Sequence, residues 1–105
     1  MTENQDLTAF VTTFYVKPII EIFKRAGVDM WWNTDSEPFI IENKGENVFE
    51  ISIRVKSNSI EYIAIAKENC ENTVLKNVEH VIIQNHIYST NMFVIEDIYI
   101  RLKIN

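Results

Sequence analysis

Apolar residues recur at intervals of three and four along residues 7–26, which is the spacing of one face of an α-helix. The series consists of Leu7, Phe10, Val11, Phe14, Ile19, Ile22, Phe23 and Ala26. Lys24 and Arg25 suit the last turn of a helix, and Gly27 suits the left-handed residue that ends one. Pro18 interrupts the pattern, so the sequence predicts an N-terminal helix that is kinked or broken near Pro18, and we favour the kink.

Strict alternation of apolar and polar residues predicts β-strands further along the chain. The clearest cases are residues 49–55 and residues 98–104. A short apolar run predicts another strand at residues 39–41, closed by a turn at 43–46. Residues 60–67 are apolar on both faces of an extended chain, so we expect a strand that forms a hairpin with the run at 49–55.

The pattern of residues 74–88 is ambiguous, because it fits a helix nearly as well as a strand. We prefer a strand from about Val78 onward. One helix followed by strands on short turns predicts an α+β fold, in which the N-terminal helix packs on a curved antiparallel sheet of four to five strands. Because the chain has 105 residues and no linker or repeat, we expect residues 1–105 to form a single domain.

Net charge narrows the classes of function. The chain has 15 acidic and 10 basic residues, a formal net charge of −5. Nucleic-acid binding is disfavoured, since it needs clustered Lys and Arg to displace counterions from phosphates. The sequence has no apolar run long enough to span a membrane and no visible secretory signal, so we expect a cytoplasmic protein without membrane association.

The sequence offers little for catalysis or metal binding. Cys70 is the only cysteine, and its acidic surroundings disfavour the reactive thiolate. His80 and His86 share a face only in an extended strand, and no pattern of further zinc ligands accompanies them. We expect the adjacent Glu96 and Asp97 to form a solvated bend rather than a catalytic pair. These observations predict a protein that is not an enzyme and binds no metal or cofactor.

The negative net charge comes entirely from residues 29–50, which contain six acidic residues and one lysine. The rest of the chain has equal numbers of acidic and basic residues. Two adjacent tryptophans stand near the start of residues 29–50, and aromatic anchors beside charged rims are typical of protein-binding sites. The residues that we expect to contact a partner are Trp31, Trp32, Asp35, Glu37, Glu42 and Glu46. The alternative is that one tryptophan fills the core and the acidic residues are ordinary surface.

Together these features predict a small acidic binding protein that inhibits or neutralises a basic protein partner, in the manner of a toxin-immunity protein that covers a toxin or nuclease. The excess of isoleucine over leucine favours an AT-rich bacterial source. One alternative is a small-molecule binder or cryptic enzyme, with an apolar pocket lined by Phe49, Tyr62 and Tyr99. Another is a structural or assembly subunit that pairs through the edge of the strand at residues 98–104.

Overall fold

The computed structural model describes residues 3–31 and 38–104, except for the side chains of residues 3–5. The helices are α1 (Glu3–Val11), α2 (Lys17–Arg25), which a π-helical turn at Thr12–Val16 joins to α1, and α3 (Ile60–Asn72). The strands are β1 (Asp29–Met30), β2 (Phe39–Gly45), β3 (Val48–Ser57), β4 (Glu79–Ser89) and β5 (Val94–Lys103). The N-terminal helix packs on an open antiparallel sheet of five strands, which confirms the predicted α+β class.

Strand β3 pairs with β5 on one side and with both β1 and β2 on the other. Asp29 of β1 lies opposite Lys56, and Phe39 of β2 lies opposite Ile53, so the two short strands follow one another along the same side of β3. Strand β5 has a second partner in β4. The expectation of a free edge at residues 98–104 is therefore wrong, because β5 is paired on both sides and β4 is the edge strand.

One face of the sheet, which we call the inner face, packs against the helices. The alternating apolar residues of β3 and β5 on this face are buried: Phe49, Ile51, Ile53, Val55, Ile98, Ile100 and Leu102. They share one core with Ile19 and Phe23 of the N-terminal helix and with Ile63 and Cys70 of α3. The helical periodicity and the strand alternation in the sequence therefore meet in a single apolar layer, as the pattern predicts.

The N-terminal helix continues through Pro18. The backbone N–H of Lys17 donates to the carbonyl of Thr12, five residues earlier, as in a π-helical turn. Proline has no N–H to donate, and its ring crowds the carbonyl four residues before it. The wider turn at Thr12–Val16, immediately before Pro18, accommodates the missing donor and the crowding. The chain is not broken at this position, and the kink remains a prediction. Gly27 has a φ of +83°, which confirms the predicted left-handed end of the helix.

The strand predicted at residues 60–67 is wrong, because this segment begins α3. The Ser59 side chain accepts a hydrogen bond of 3.1 Å from the backbone N–H of Glu61 and caps the helix. Ala66 and Cys70 are fully buried, four residues apart and on one helical face. A short run that is apolar on both faces fits a strand and a helix equally well. The Ser59 cap and the three-and-four spacing of buried residues out to Cys70 are what identify the helix.

The remaining strand predictions are confirmed with shifted boundaries. Strand β4 begins at Glu79, close to the preferred start near Val78, and pairs with β5. Strand β2 starts at Phe39 as predicted but continues through Gly45. The turn is therefore formed by Glu46 and Asn47 rather than residues 43–46. Both have positive φ, 55° and 64°, as in the tight turns that suit the twist of a hairpin.

Candidate protein-binding surface

The second face of the sheet, which we call the open face, points away from the helices. It carries the polar residues of β3 that alternate with the core positions, namely Glu50, Ser52, Arg54 and Lys56. Apolar side chains are exposed on the outer strands of the same face. Five of these are between 43% and 57% exposed: Trp31, Ile40, Val81, Ile83 and Tyr88. Trp31 and Ile40 lie on one side of the polar residues, and the other three lie on β4, so the face exposes apolar side chains at both of its edges. Two of them, Trp31 and Tyr88, are aromatic, a type of side chain that is enriched at protein interfaces.

An aromatic row crosses one end of the open face and consists of Trp31, Lys56, Phe93 and Tyr88. The Lys56 ammonium lies 4.5 Å from the centre of the Trp31 ring and 4.4 Å from that of Phe93. The Phe93 and Tyr88 rings are 5.8 Å apart. Cation–π and ring contacts hold flat side chains in fixed orientations, so this end of the face is preorganised for contact.

Trp31 is the member of the row that sequence reasoning identified. Its backbone N–H donates to the carbonyl of Arg54 at 2.6 Å, which continues the pairing of β1 with β3. The indole is 43% exposed, so Trp31 belongs to the surface and does not fill the core. Sequence reasoning missed Lys56, Tyr88 and Phe93, because only the sheet register brings them beside Trp31.

The predicted contact residues have different positions in the structure. Glu42 is exposed on the open face, and its carboxylate accepts a hydrogen bond of 2.9 Å from Lys44 Nζ, which raises the pKa of that lysine. Glu46 lies in the β2–β3 turn and is exposed. Trp32, Asp35 and Glu37 lie outside the described residues.

Basic side chains neutralise part of the negative charge of residues 29–50. Besides the pair formed by Glu42 and Lys44, Glu50 accepts a hydrogen bond of 3.0 Å from Arg101 Nη2 on the adjacent strand. Surface ion pairs of this kind contribute little to stability, but they reduce the local negative charge. The charge asymmetry of the sequence therefore does not become a bare acidic patch among residues 38–50, and the aromatic row is the stronger feature of the surface.

The middle of the open face is held by an ion pair. Arg54 donates to both carboxylate oxygens of Asp97, at 2.8 and 3.2 Å, and Tyr99 Oη donates to the same carboxylate at 3.4 Å. The bond to Asp97 raises the pKa of Arg54. A bidentate arginine–carboxylate pair fixes the geometry of both strands.

Glu96 and Asp97 do not form the predicted bend, because both lie within β5. They point to opposite faces of the sheet, as expected for successive strand residues. Glu96 is 4% exposed on the inner face and accepts a hydrogen bond of 2.9 Å from Gln84. A buried carboxylate with an amide donor is a packed structural group rather than half of a carboxylate pair.

Cys70 is fully buried, and this burial raises the pKa of its thiol to about 12, with Glu71 as a smaller cause. The acidic residues beside Cys70 in the sequence therefore predict the correct direction of the pKa shift, but burial is its larger cause.

His80 and His86 lie opposite Leu102 and Glu96, which places both on the inner face as the strand interpretation requires. Across residues 3–31 and 38–104, no cluster of three or more His, Cys, Asp and Glu side chains could hold a metal.

The pocket proposed for a small molecule is not formed by its predicted residues. Phe49 is buried in the core, Tyr62 lies on α3, and Tyr99 lies on the open face of β5. The sheet separates Phe49 from Tyr99. This distribution removes the basis on which that pocket was predicted.

Comparison with protein-family models and with curated proteins finds no match for this chain. In the described part of the chain, no helix combines the length and the apolar character that crossing a membrane requires. The candidate surface therefore rests on the geometry of the open face.

Proposed function

We propose that this chain is a non-catalytic binding protein that holds a protein partner on the open face of its sheet, with Trp31 as an anchor. The observation that carries the proposal is the aromatic row beside further exposed apolar side chains on a face that the helices leave uncovered. Tryptophan and tyrosine are enriched among the residues that dominate binding energy. Because Lys56 already orients Trp31, little side-chain freedom remains to be lost on binding.

A basic protein is the partner that the charge distribution favours. The net charge of −5 arises within residues 29–50, which include both Trp31 and the open-face residue Glu42. Long-range attraction by this excess would accelerate encounter with a cationic surface, and apolar burial at Trp31 would then retain it. An inhibitor of the toxin-immunity type is the specific form that we propose, since covering a cationic cleft needs no active site.

Replacement of Trp31 by alanine tests this assignment. We expect Trp31→Ala to weaken binding of the partner roughly 30-fold or more, because an exposed aromatic anchor at a binding centre contributes about 2 kcal/mol or more. Folding stability should change little, because the ring is 43% exposed and its backbone pairing remains. Calorimetric titration with a basic partner, found by co-expression with products of neighbouring genes, gives the affinity.

Phe14→Ala is the matched control, since Phe14 is 60% exposed on the helical side of the molecule. Its affinity should equal that of the unmodified chain. Equal losses for the two variants, or unchanged binding by Trp31→Ala, would contradict the assignment of the open face. A toxin-immunity function requires one more result. The partner should be toxic when expressed alone and harmless when co-expressed with this chain.

A further inference from the structure

The two edges of the sheet differ in how they are protected. The β2 edge carries Glu42, Lys44 and Gly45, and β1 is only two residues long. Charged side chains and short strands are devices that keep sheet edges from pairing with other chains. By contrast, β4 runs for 11 residues, and residues 80–89 contain no Asp, Glu, Lys, Arg, Pro or Gly. The β4 edge therefore lacks these protections.

Within residues 3–31 and 38–104, no strand pairs with the outer side of β4, and apolar side chains lie along this edge. Val81 and Ile83 project from the open face of β4 and are 57% and 53% exposed. Ile82 points to the inner face between them and is partly buried against the core. Only a bulge between His86 and Tyr88 interrupts the strand, so residues 79–85 form a regular segment of seven.

This regular segment is complementary to itself. In an antiparallel pairing of two β4 strands about a two-fold axis at Ile82, Val81 of each copy lies opposite Ile83 of the other. Glu79, the only charged residue of the segment, then lies opposite Asn85, so no like charges meet. That matters because two copies of a chain of net charge −5 repel one another overall. Two-fold symmetry of this kind is the commonest symmetry of homo-oligomers.

We propose that two copies of this chain associate through β4, antiparallel about Ile82, so that their sheets form one continuous sheet. The pairing satisfies the outward N–H and C=O groups of the edge and covers Val81 and Ile83. The open faces of the two copies then lie side by side on the same surface of the joined sheet. The pairing uses Val81 and Ile83 at the β4 edge, whereas Trp31, the anchor of the proposed function, lies on the far side of β3 from β4. This inference therefore does not rest on the proposed function.

Sedimentation velocity over a wide range of protein concentration tests the pairing. We expect a concentration-dependent species of twice the 12.3 kDa chain mass. Ile83→Lys should raise the dissociation constant at least about tenfold, because it places an ammonium group against Val81 of the second copy. Ile40→Lys is the matched control, an isoleucine of the same face on the opposite edge, and it should leave the dimer intact. Trp31→Ala should also leave it intact.

Disulfide cross-linking tests the register. Residues opposite each other in an antiparallel pair have Cα atoms about 4.5–5.5 Å apart, within the range that a disulfide bridges, so Ile82→Cys should cross-link under oxidised glutathione. Gln84→Cys is the control, because its two copies would lie roughly 14 Å apart. A chain that stays monomeric at all concentrations overturns the proposal, as does equal cross-linking of the two variants or equal weakening by Ile83→Lys and Ile40→Lys.

Discussion

Cys70 in the folded protein should react with a thiol-specific reagent at pH 8 at least about a thousandfold more slowly than an ordinary cysteine. The thiol is fully buried, and its pKa is raised to about 12. At pH 8 roughly one molecule in ten thousand then carries the reactive thiolate, against roughly a tenth for a cysteine with the ordinary pKa of 9.0. Stopped-flow labelling with and without denaturant measures the difference. Rapid, stoichiometric labelling of the native protein would contradict the buried position of Cys70.

The same raised pKa makes folding stability depend on pH. Burial favours the neutral thiol in the folded state, so this contribution is present below the unfolded-state pKa near 9 and is lost as the pH rises toward 12. The loss approaches about 1.4 kcal/mol per pH unit within this window. Urea unfolding at several pH values shows the slope, and Cys70→Ala separates it from other titrating groups. Identical slopes for the two proteins would contradict the link.

Phe49→Ala should lower the free energy of unfolding by about 3–5 kcal/mol, since it removes a large side chain from a close-packed core. Phe49 is fully buried on the inner face of the central strand β3. The substitution would leave a cavity beside Leu102, the residue opposite Phe49 on β5. Because the strands on both sides of β3 are hydrogen-bonded in place, the surrounding side chains cannot easily move in to fill it. Chemical denaturation followed by circular dichroism measures the loss.

Ser52→Ala provides the control for Phe49→Ala, since it lies on the same strand but on the open face. Its stability should stay within about 0.5 kcal/mol of the unmodified chain. If Phe49→Ala does not fold, Phe49→Leu keeps the test informative, because a smaller loss of volume should cost roughly 1–2 kcal/mol. A loss below about 1 kcal/mol for Phe49→Ala would place the core elsewhere.

Periodicity predicts the fold wherever a pattern is long enough to fit one period. The N-terminal helix spans more than five turns, and residues 49–55 alternate without interruption, so each pattern has one structural solution. Residues 60–67 are too short for such a decision. There the helix depends on the Ser59 cap and on burial of Cys70 three turns later, and single-residue features of this kind have weak signals in a sequence.

The candidate surface is predictable from the sequence only in part. Charge counting locates residues 29–50, and Trp31 is found there, but the count cannot show that Glu50 pairs with Arg101 on the adjacent strand. The aromatic row depends on the pairing of β3 with β5 and of β5 with β4. Those contacts join residues far apart in the chain, so no local pattern reports that Lys56 lies against Phe93.

We propose that a protein partner covers the open face and leaves the helical side exposed. Hydroxyl-radical footprinting of the complex tests it directly, with two tyrosines of similar exposure: Tyr88 on the open face, 52% exposed, and Tyr62 on α3, 45% exposed. We predict that binding lowers the oxidation of Trp31 and Tyr88 several-fold and leaves Tyr62 and Phe14 unchanged. Protection of Tyr62 and Phe14, with Trp31 and Tyr88 still oxidised at the rates of the free chain, would show that the partner binds the helical side instead.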